Sequence, residues 1–123
     1  MADKLLQSAE QPLFIVILTM TNHPPYVTPD TYTPSVVEVT EEYRERAGGG
    51  QIELENILTT FQYSADALGR FINSVKEGEQ GENTLIAATG DHQMRRVKAR
   101  LPEEAMLEKA VPFYLGSFRI PDC

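Results

Sequence analysis

Tryptophan is absent from this chain, and cysteine occurs once, as Cys123. A single thiol closes no intrachain disulfide, and cysteine usage therefore does not decide the redox compartment. Long apolar runs are missing too. The longest, residues 13–18, is far short of the roughly 20 residues that a membrane-spanning helix needs. Residues 2–10 are polar and charged, unlike the apolar centre of a secretory leader. Met1 reads as a true start or as an internal methionine; in the second case a leader or membrane anchor would lie upstream. Positive charge is scarce: 11 Lys and Arg stand against 18 Asp and Glu, for a net charge of -7. That balance argues against nucleic acid as a partner, because a phosphate backbone calls for a basic surface. The local exception is Arg95, Arg96, Lys98 and Arg100, which reads as a solvated loop or as an anion-attracting rim beside a site.

What remains is an ordinary globular composition, with 41% hydrophobic and 24% charged residues over 123 positions. The length suits one domain or a piece of one. Residues 2–8 read as a short helix, stopped near Gln11 and Pro12. Residues 13–19, Leu-Phe-Ile-Val-Ile-Leu-Thr, form an unbroken apolar and β-branched run, the pattern of a strand buried on both faces of a parallel sheet. Residues 21–34 hold four prolines and read as a long ordered loop. A short extended piece is expected at 36–39 and a helical turn or two at 41–46, ended by Gly48, Gly49 and Gly50. Leu54, Ile57, Leu58, Phe61, Ala65, Leu68, Ile72 and Val75 then recur at spacings of three and four, one stripe of a long helix that Gly78 ends. A second strand is expected at 84–89, a helix at 102–109 opened by Pro102, and a third strand at 111–115. Strand, helical crossover, strand, helix, strand is the order of an α/β fold with a largely parallel sheet.

In such sheets ligands bind beyond the carboxyl ends of the strands. If strands 13–19 and 84–89 run parallel, that edge receives Asn22-His23-Pro24-Pro25-Tyr26 after the first and Gly90-Asp91-His92 after the second. Both histidines of the chain would then stand at one edge. Asp91 and His92 supply a carboxylate and an imidazole, donors suited to Zn²⁺, Mn²⁺ or a related ion; the other reading is a hydrogen-bonded loop pair. Two donors fall short of the three or four protein ligands usual for such an ion, and no second cluster stands at another strand end. His23, set among prolines, reads as a substrate contact, as a proton donor to a leaving group, or as a loop residue capping backbone groups. Tyr26 reads as packing, and Asp66 as a helix residue hydrogen-bonded to a neighbouring loop. No Gly-rich phosphate loop follows residues 13–19, which ranks a Rossmann-like nucleotide binder low.

These residues carry a resemblance. Phe14-Ile15-Val16-Ile17-Leu18-Thr19-Met20-Thr21-Asn22-His23-Pro24-Pro25-Tyr26 resembles the strand and loop of lipoteichoic-acid-synthase-like sulfatases, in the alkaline phosphatase superfamily. Tyr63-Ser64-Ala65-Asp66-Ala67-Leu68-Gly69-Arg70-Phe71-Ile72 is similar to the helix before that family's last metal motif. The stretch from Glu82 to His92 is similar to its Asn-Thr, apolar strand, Gly-Asp-His signature, and Val111-Pro112-Phe113-Tyr114 to the strand that follows. The resemblance spans residues 3–116 in the family's order.

The resemblance implies an α/β/α sandwich, with residues 1–123 forming the C-terminal portion of one catalytic domain. It implies one divalent ion (Mn, Zn, Mg or Ca) held by Asp91 and His92, and His23 facing the head group or leaving group of a sulfate or phosphate ester. The nucleophile and first acidic ligand belong to the family's N-terminal half. Thr19, Thr21 and Thr89 do not stand in the nucleophile motif, and no Pro and Arg follow Cys123 as a formylglycine site requires. Gln93-Met94-Arg95 replaces the glycine-containing continuation common after Asp-His. The expected function is thus that of a metal-dependent sulfatase-like hydrolase or phosphoglycerol-type transferase, with this chain inactive alone and prone to self-association. The parent is expected to be membrane-anchored, with its catalytic domain periplasmic or extracellular. The alternative is a non-catalytic α/β domain that binds an anion or a partner.

Overall fold

Helix α2, Gln51–Glu77, organises the chain. In the computed structural model, which describes residues 11–93 and 96–118, it runs nearly the length that the apolar spacing predicts, and Gly78 caps its end by donating its N–H to Val75 O. Leu54 and Ile57 on its first half are buried together with Val39, and Tyr26, Tyr43, Ala47 and Leu58 pack around them. Thr60 is also buried, its hydroxyl donating to Ile57 O at 2.9 Å, so the polar group is satisfied within the helix. The middle of the stripe behaves differently: Phe61 and Leu68 are 60% and 40% exposed.

The shorter helix α1, Glu41–Ala47, precedes α2. Thr40 caps it by accepting the Tyr43 N–H at 3.2 Å. Glu41 and Glu42 sit in the first turn and Arg44 and Arg46 in the last, as the helix dipole favours. The α1–α2 turn requires glycine. Gly48 and Gly49 have φ of 63° and 100°, and a Cβ on Gly49 would lie 2.8 Å from both Arg96 Nη1 and Glu53 Oε2.

A 3-10 turn, Gly81–Asn83, leads into strand β1, Leu85–Thr89. A second 3-10 turn, Pro102–Glu104, runs into the short helix α3, Ala105–Lys109, and then strand β2, Phe113–Ser117. The expected 102–109 helix is therefore present, with Pro102 at its start. The strand expected at 111–115 is displaced by two residues. Pro112 has no N–H to donate, so pairing begins at Phe113, while Pro112 O still accepts from Gly90 N at 3.4 Å.

The sheet departs from the sequence expectation. Among the described residues it contains only β1 and β2, and these run antiparallel, with Leu85 opposite Ser117 and Thr89 opposite Phe113. A parallel pair needs a crossover of a dozen or more residues, usually a helix. The connection through residues 90–112 is long enough for one, but its 3-10 turn and α3 bring the chain back antiparallel. Residues 13–19 form no strand: without a neighbour to pair with, their N–H and C=O groups make no ladder. Their side chains stay open, with Phe14 94%, Val16 78% and Leu18 81% exposed. Residues 36–39 are not a strand either, although Val39 is buried. The helix expected at 2–8, like Arg95 and Cys123, lies outside the described residues.

The core concentrates at one point, which makes its response to truncation specific. Leu54→Ala, at a fully buried side chain, should lower the unfolding free energy by about 2–5 kcal/mol. Val36→Ala, at a side chain 99% exposed, should change it by less than about 0.5 kcal/mol. Urea denaturation followed by circular dichroism checks both.

Candidate functional site

Asp91 and His92 follow directly on β1, where Gly90 ends the ladder. Both side chains are exposed. His92 Nδ1 lies 2.8 Å from Gln93 O. A carbonyl oxygen only accepts, so Nδ1 carries the proton of this hydrogen bond and Nε2 is left with its lone pair. That nitrogen is 3.8 Å from Asp91 Oδ2. Two donors bound to one tetrahedral ion at ~2.1 Å stand ~3.4 Å apart, so this pair is somewhat wider than one shared cation would hold it. An Nδ1–H held by a carbonyl is the usual outer support of a metal-binding imidazole. Among the described residues, no group of three or more His, Cys, Asp and Glu gathers to complete a metal site.

His23 sits in a loop built on different supports. Its N–H donates to Met20 O and its carbonyl accepts from Tyr26 N, both at 3.2 Å. Its Nδ1 lies 3.1 Å from Pro24 O, so this imidazole too keeps Nε2 open. The Pro24–Pro25 bond is cis, and Tyr26 has φ of 56°, a left-handed conformation unfavourable for a bulky residue. The Tyr26 ring packs on the Val39–Leu54–Ile57 core, which holds that conformation in place. Tyr26 is therefore a packing residue, as its sequence context suggests.

Helix α2 holds the rest of this loop. Tyr32 Oη donates to Asp66 Oδ2 at 2.7 Å and approaches Gln62 Oε1 at 3.2 Å. Its ring meets Tyr63 edge-on, with centroids 4.9 Å apart. Burial and the bond to Asp66 push the Tyr32 hydroxyl pKa up. Gln62 Oε1 also accepts from Ser35 N at 2.8 Å, and Ser64 Oγ donates to Asn22 Oδ1 at 3.1 Å. The loop contact expected of Asp66 is thus observed. Gln62 and Ser64 were not singled out by the residue patterns, because polar residues on a helix read as a solvated face; Tyr32 lay unmarked in the proline-rich loop, and Asn22 was marked only as part of the segment around His23.

The arrangement does not follow the sheet-edge geometry. With residues 13–19 unpaired and β1–β2 antiparallel, the argument that put His23 and Asp91 at one carboxyl edge has no parallel sheet to rest on. The basic stretch falls on the solvated-loop side of its two readings. Arg96 pairs with Glu53, Lys98 lies 3.7 Å from Glu108, and Arg100 lies 3.5 Å from Glu45. Each charge is matched locally, so these three residues do not form an anion-attracting rim. Instead they tie the segment after His92 back to the helices.

The strongest tie is bidentate. Arg46 Nη1 and Nη2 donate to Glu104 Oε2 and Oε1 at 3.1 and 2.9 Å, and Arg100 N donates to the same carboxylate at 2.9 Å. The open cavity beside it, about 310 Å³, is lined among others by Arg46, Gln93, Lys98 and Glu104.

A family comparison matches the sulfatase model over residues 1–121. The chain belongs to the sulfatase family. Lipoteichoic acid synthase-like YvgJ of Bacillus subtilis (strain 168) is 28% identical to it over 89 residues, which cover 72% of this chain and 13% of YvgJ. The chain therefore spans a small part of the length of that curated relative. No solved structure matches. The resemblance to lipoteichoic-acid-synthase-like sulfatases of the alkaline phosphatase superfamily is borne out. The family implies an alkaline-phosphatase-like α/β fold, and its members generally use a divalent metal ion. No helix among the described residues of this sulfatase-family chain is long and apolar enough to cross a membrane.

The Glu104 clip predicts a pH dependence. The Arg46 guanidinium, and then the Arg100 N–H, hold the Glu104 carboxyl down to about 2, against 4.5 ordinarily. A carboxyl depressed in the folded state stabilises fully above its unfolded value, and that contribution is lost as pH falls through the folded value. Stability should therefore drop from about pH 4.5 toward about pH 2. Glu108, lowered mainly by the Ala99 N–H and Lys109, adds to the slope. Thermal melts across this range should be visibly flatter for Glu104→Gln than for the wild type.

Proposed function

We propose that this chain is the C-terminal portion of a metal-dependent sulfatase-family catalytic domain that hydrolyses or transfers sulfate or phosphoglycerol-type phosphate esters. The observation that carries the reading is the Asp91–His92 pair at the end of β1. Its imidazole is locked at Nδ1 by Gln93 O, with Nε2 open 3.8 Å from the Asp91 carboxylate. Asp91 and His92 would hold one divalent ion, which when bound polarises the ester and offsets its negative charge. His23 faces the head group or leaving group. With Nδ1 engaged at Pro24 O, its Nε2 is the ring nitrogen that accepts a proton or, once protonated, donates it to a departing oxygen.

The nucleophile and the remaining ligands come from a segment outside these residues. The match to 13% of YvgJ supports a parent much longer than this chain, and the likeness to a lipoteichoic acid synthase-like protein favours a membrane-anchored one. The open apolar surfaces agree with a partial domain. Leu85, Phe113 and Leu115 on one face of β1–β2 are 67%, 68% and 61% exposed, alongside residues 13–18 and the middle of α2. Surfaces of this kind mark where other protein packs.

Three measurements test the reading. The chain alone should show no turnover of an activated phosphate or sulfate ester with Mn²⁺ present, while Mn²⁺ should selectively broaden amide resonances around Asp91 and His92. Metal-dependent turnover abolished by Asp91→Ala would show that the chain is itself a complete enzyme. Absence of selective broadening would remove the proposed ligand pair. Sedimentation velocity should show self-association that Phe14→Glu, at a side chain 94% exposed, weakens; a chain monomeric at every concentration would count against the open surfaces.

A further inference from the structure

Residues 20–32, the part of the loop that carries His23, are fixed to the core and to α2 at three places, and these are not alike. Tyr26 buries its ring on the Val39–Leu54–Ile57 core, and Tyr32 combines a ring contact with its bond to Asp66. Both are explained by burial. The third is a lone hydrogen bond between two small polar side chains, Ser64 Oγ to Asn22 Oδ1 at 3.1 Å, linking positions 42 apart in sequence. A neutral hydrogen bond at the surface contributes little net stability, because water competes for both partners. Its effect lies in where it holds the chain.

We propose that Ser64 is a positioning residue for His23, acting through the Asn22 side chain; this rests on the reading of His23 as the substrate-facing imidazole. The backbone of 20–26 forms an arch, closed by His23 N to Met20 O on one side and Tyr26 N to His23 O on the other. Tyr26 is one foot of that arch, seated in the core. Asn22 is the other, and Ser64 is the only side chain among the described residues that a hydrogen bond ties to it. The His23 ring hangs from the top with one hold of its own, Nδ1 to Pro24 O at 3.1 Å. With both feet fixed, the Pro24 carbonyl and the ring stay in register, and Nε2 remains the open nitrogen. With the Asn22 foot released, the ring keeps its chemistry but loses its bearing. Remote positioning of this kind governs reactivity far more than stability. The tether springs from α2, so it also relates the His23 loop to a rigid element rather than to another loop.

The test reads the imidazoles directly. Long-range ¹⁵N–¹H spectra of the labelled full chain report which nitrogen of each ring carries the proton. Wild-type His23 should be held as the Nδ1–H tautomer. Ser64→Ala should abolish that bias at His23 while leaving His92, held independently by Gln93 O, unchanged. Ser64→Thr, which keeps the hydroxyl, should restore it. An unaltered melting temperature in Ser64→Ala would mark the change as positioning rather than unfolding. An unchanged His23 tautomer in Ser64→Ala would overturn the proposal, as would equal disturbance at His92. The readout needs no substrate or metal, so it holds or fails separately from the ester-transfer reading, which the metal titration and turnover assays decide.

Discussion

When α2 buries Leu54 and Ile57 against Val39, it draws the rings of Tyr26 and Tyr43 onto the same cluster. Two neighbouring structures depend on that contact. Tyr26 belongs to the loop that bears His23, and Tyr43 belongs to α1, whose Arg46 reaches across to Glu104. A burial event of a few side chains thus sets the position of the proposed substrate-facing loop directly. Through α1 it also sets the segment that follows the proposed ligand pair. Among the described residues few others are fully buried, so little else there could take over that role.

Local electrostatics complete what the small core begins. The chain is acidic overall, yet its described basic residues near the candidate site are spent on specific carboxylates rather than displayed. Exposed pairs of this sort each contribute little. The Arg46–Glu104 clip differs because it is bidentate, partly shielded and reinforced by backbone N–H donors. It fixes the approach of residues 97–110 to α1 with a geometry that a single ion pair would leave loose.

Periodicity made the helices legible in the sequence. The spacing from Leu54 to Val75 and the stop at Gly78 describe α2 almost as observed. A run of β-branched residues announces a strand but not its partner. That is why 13–19 could be read as sheet and yet stand unpaired, and why the antiparallel direction of β1–β2 is not written in the residues that form it. Direction is decided by how the connection returns, and nothing in the residues of 90–112 announces that course. Asp91 and His92 were visible because they follow a recognisable strand. The bonds that hold the candidate residues were not, since His92 is held by a neighbouring backbone carbonyl and Asn22, beside His23, by a serine on α2. Such contacts leave no periodic trace. The polar residues that make them look the same in sequence whether they face water or a loop.

The two imidazoles share one construction, each presenting Nδ1 to the carbonyl of the residue that follows it. Each ring is therefore aimed by the backbone of its own loop, so whatever moves that loop carries the open nitrogen with it.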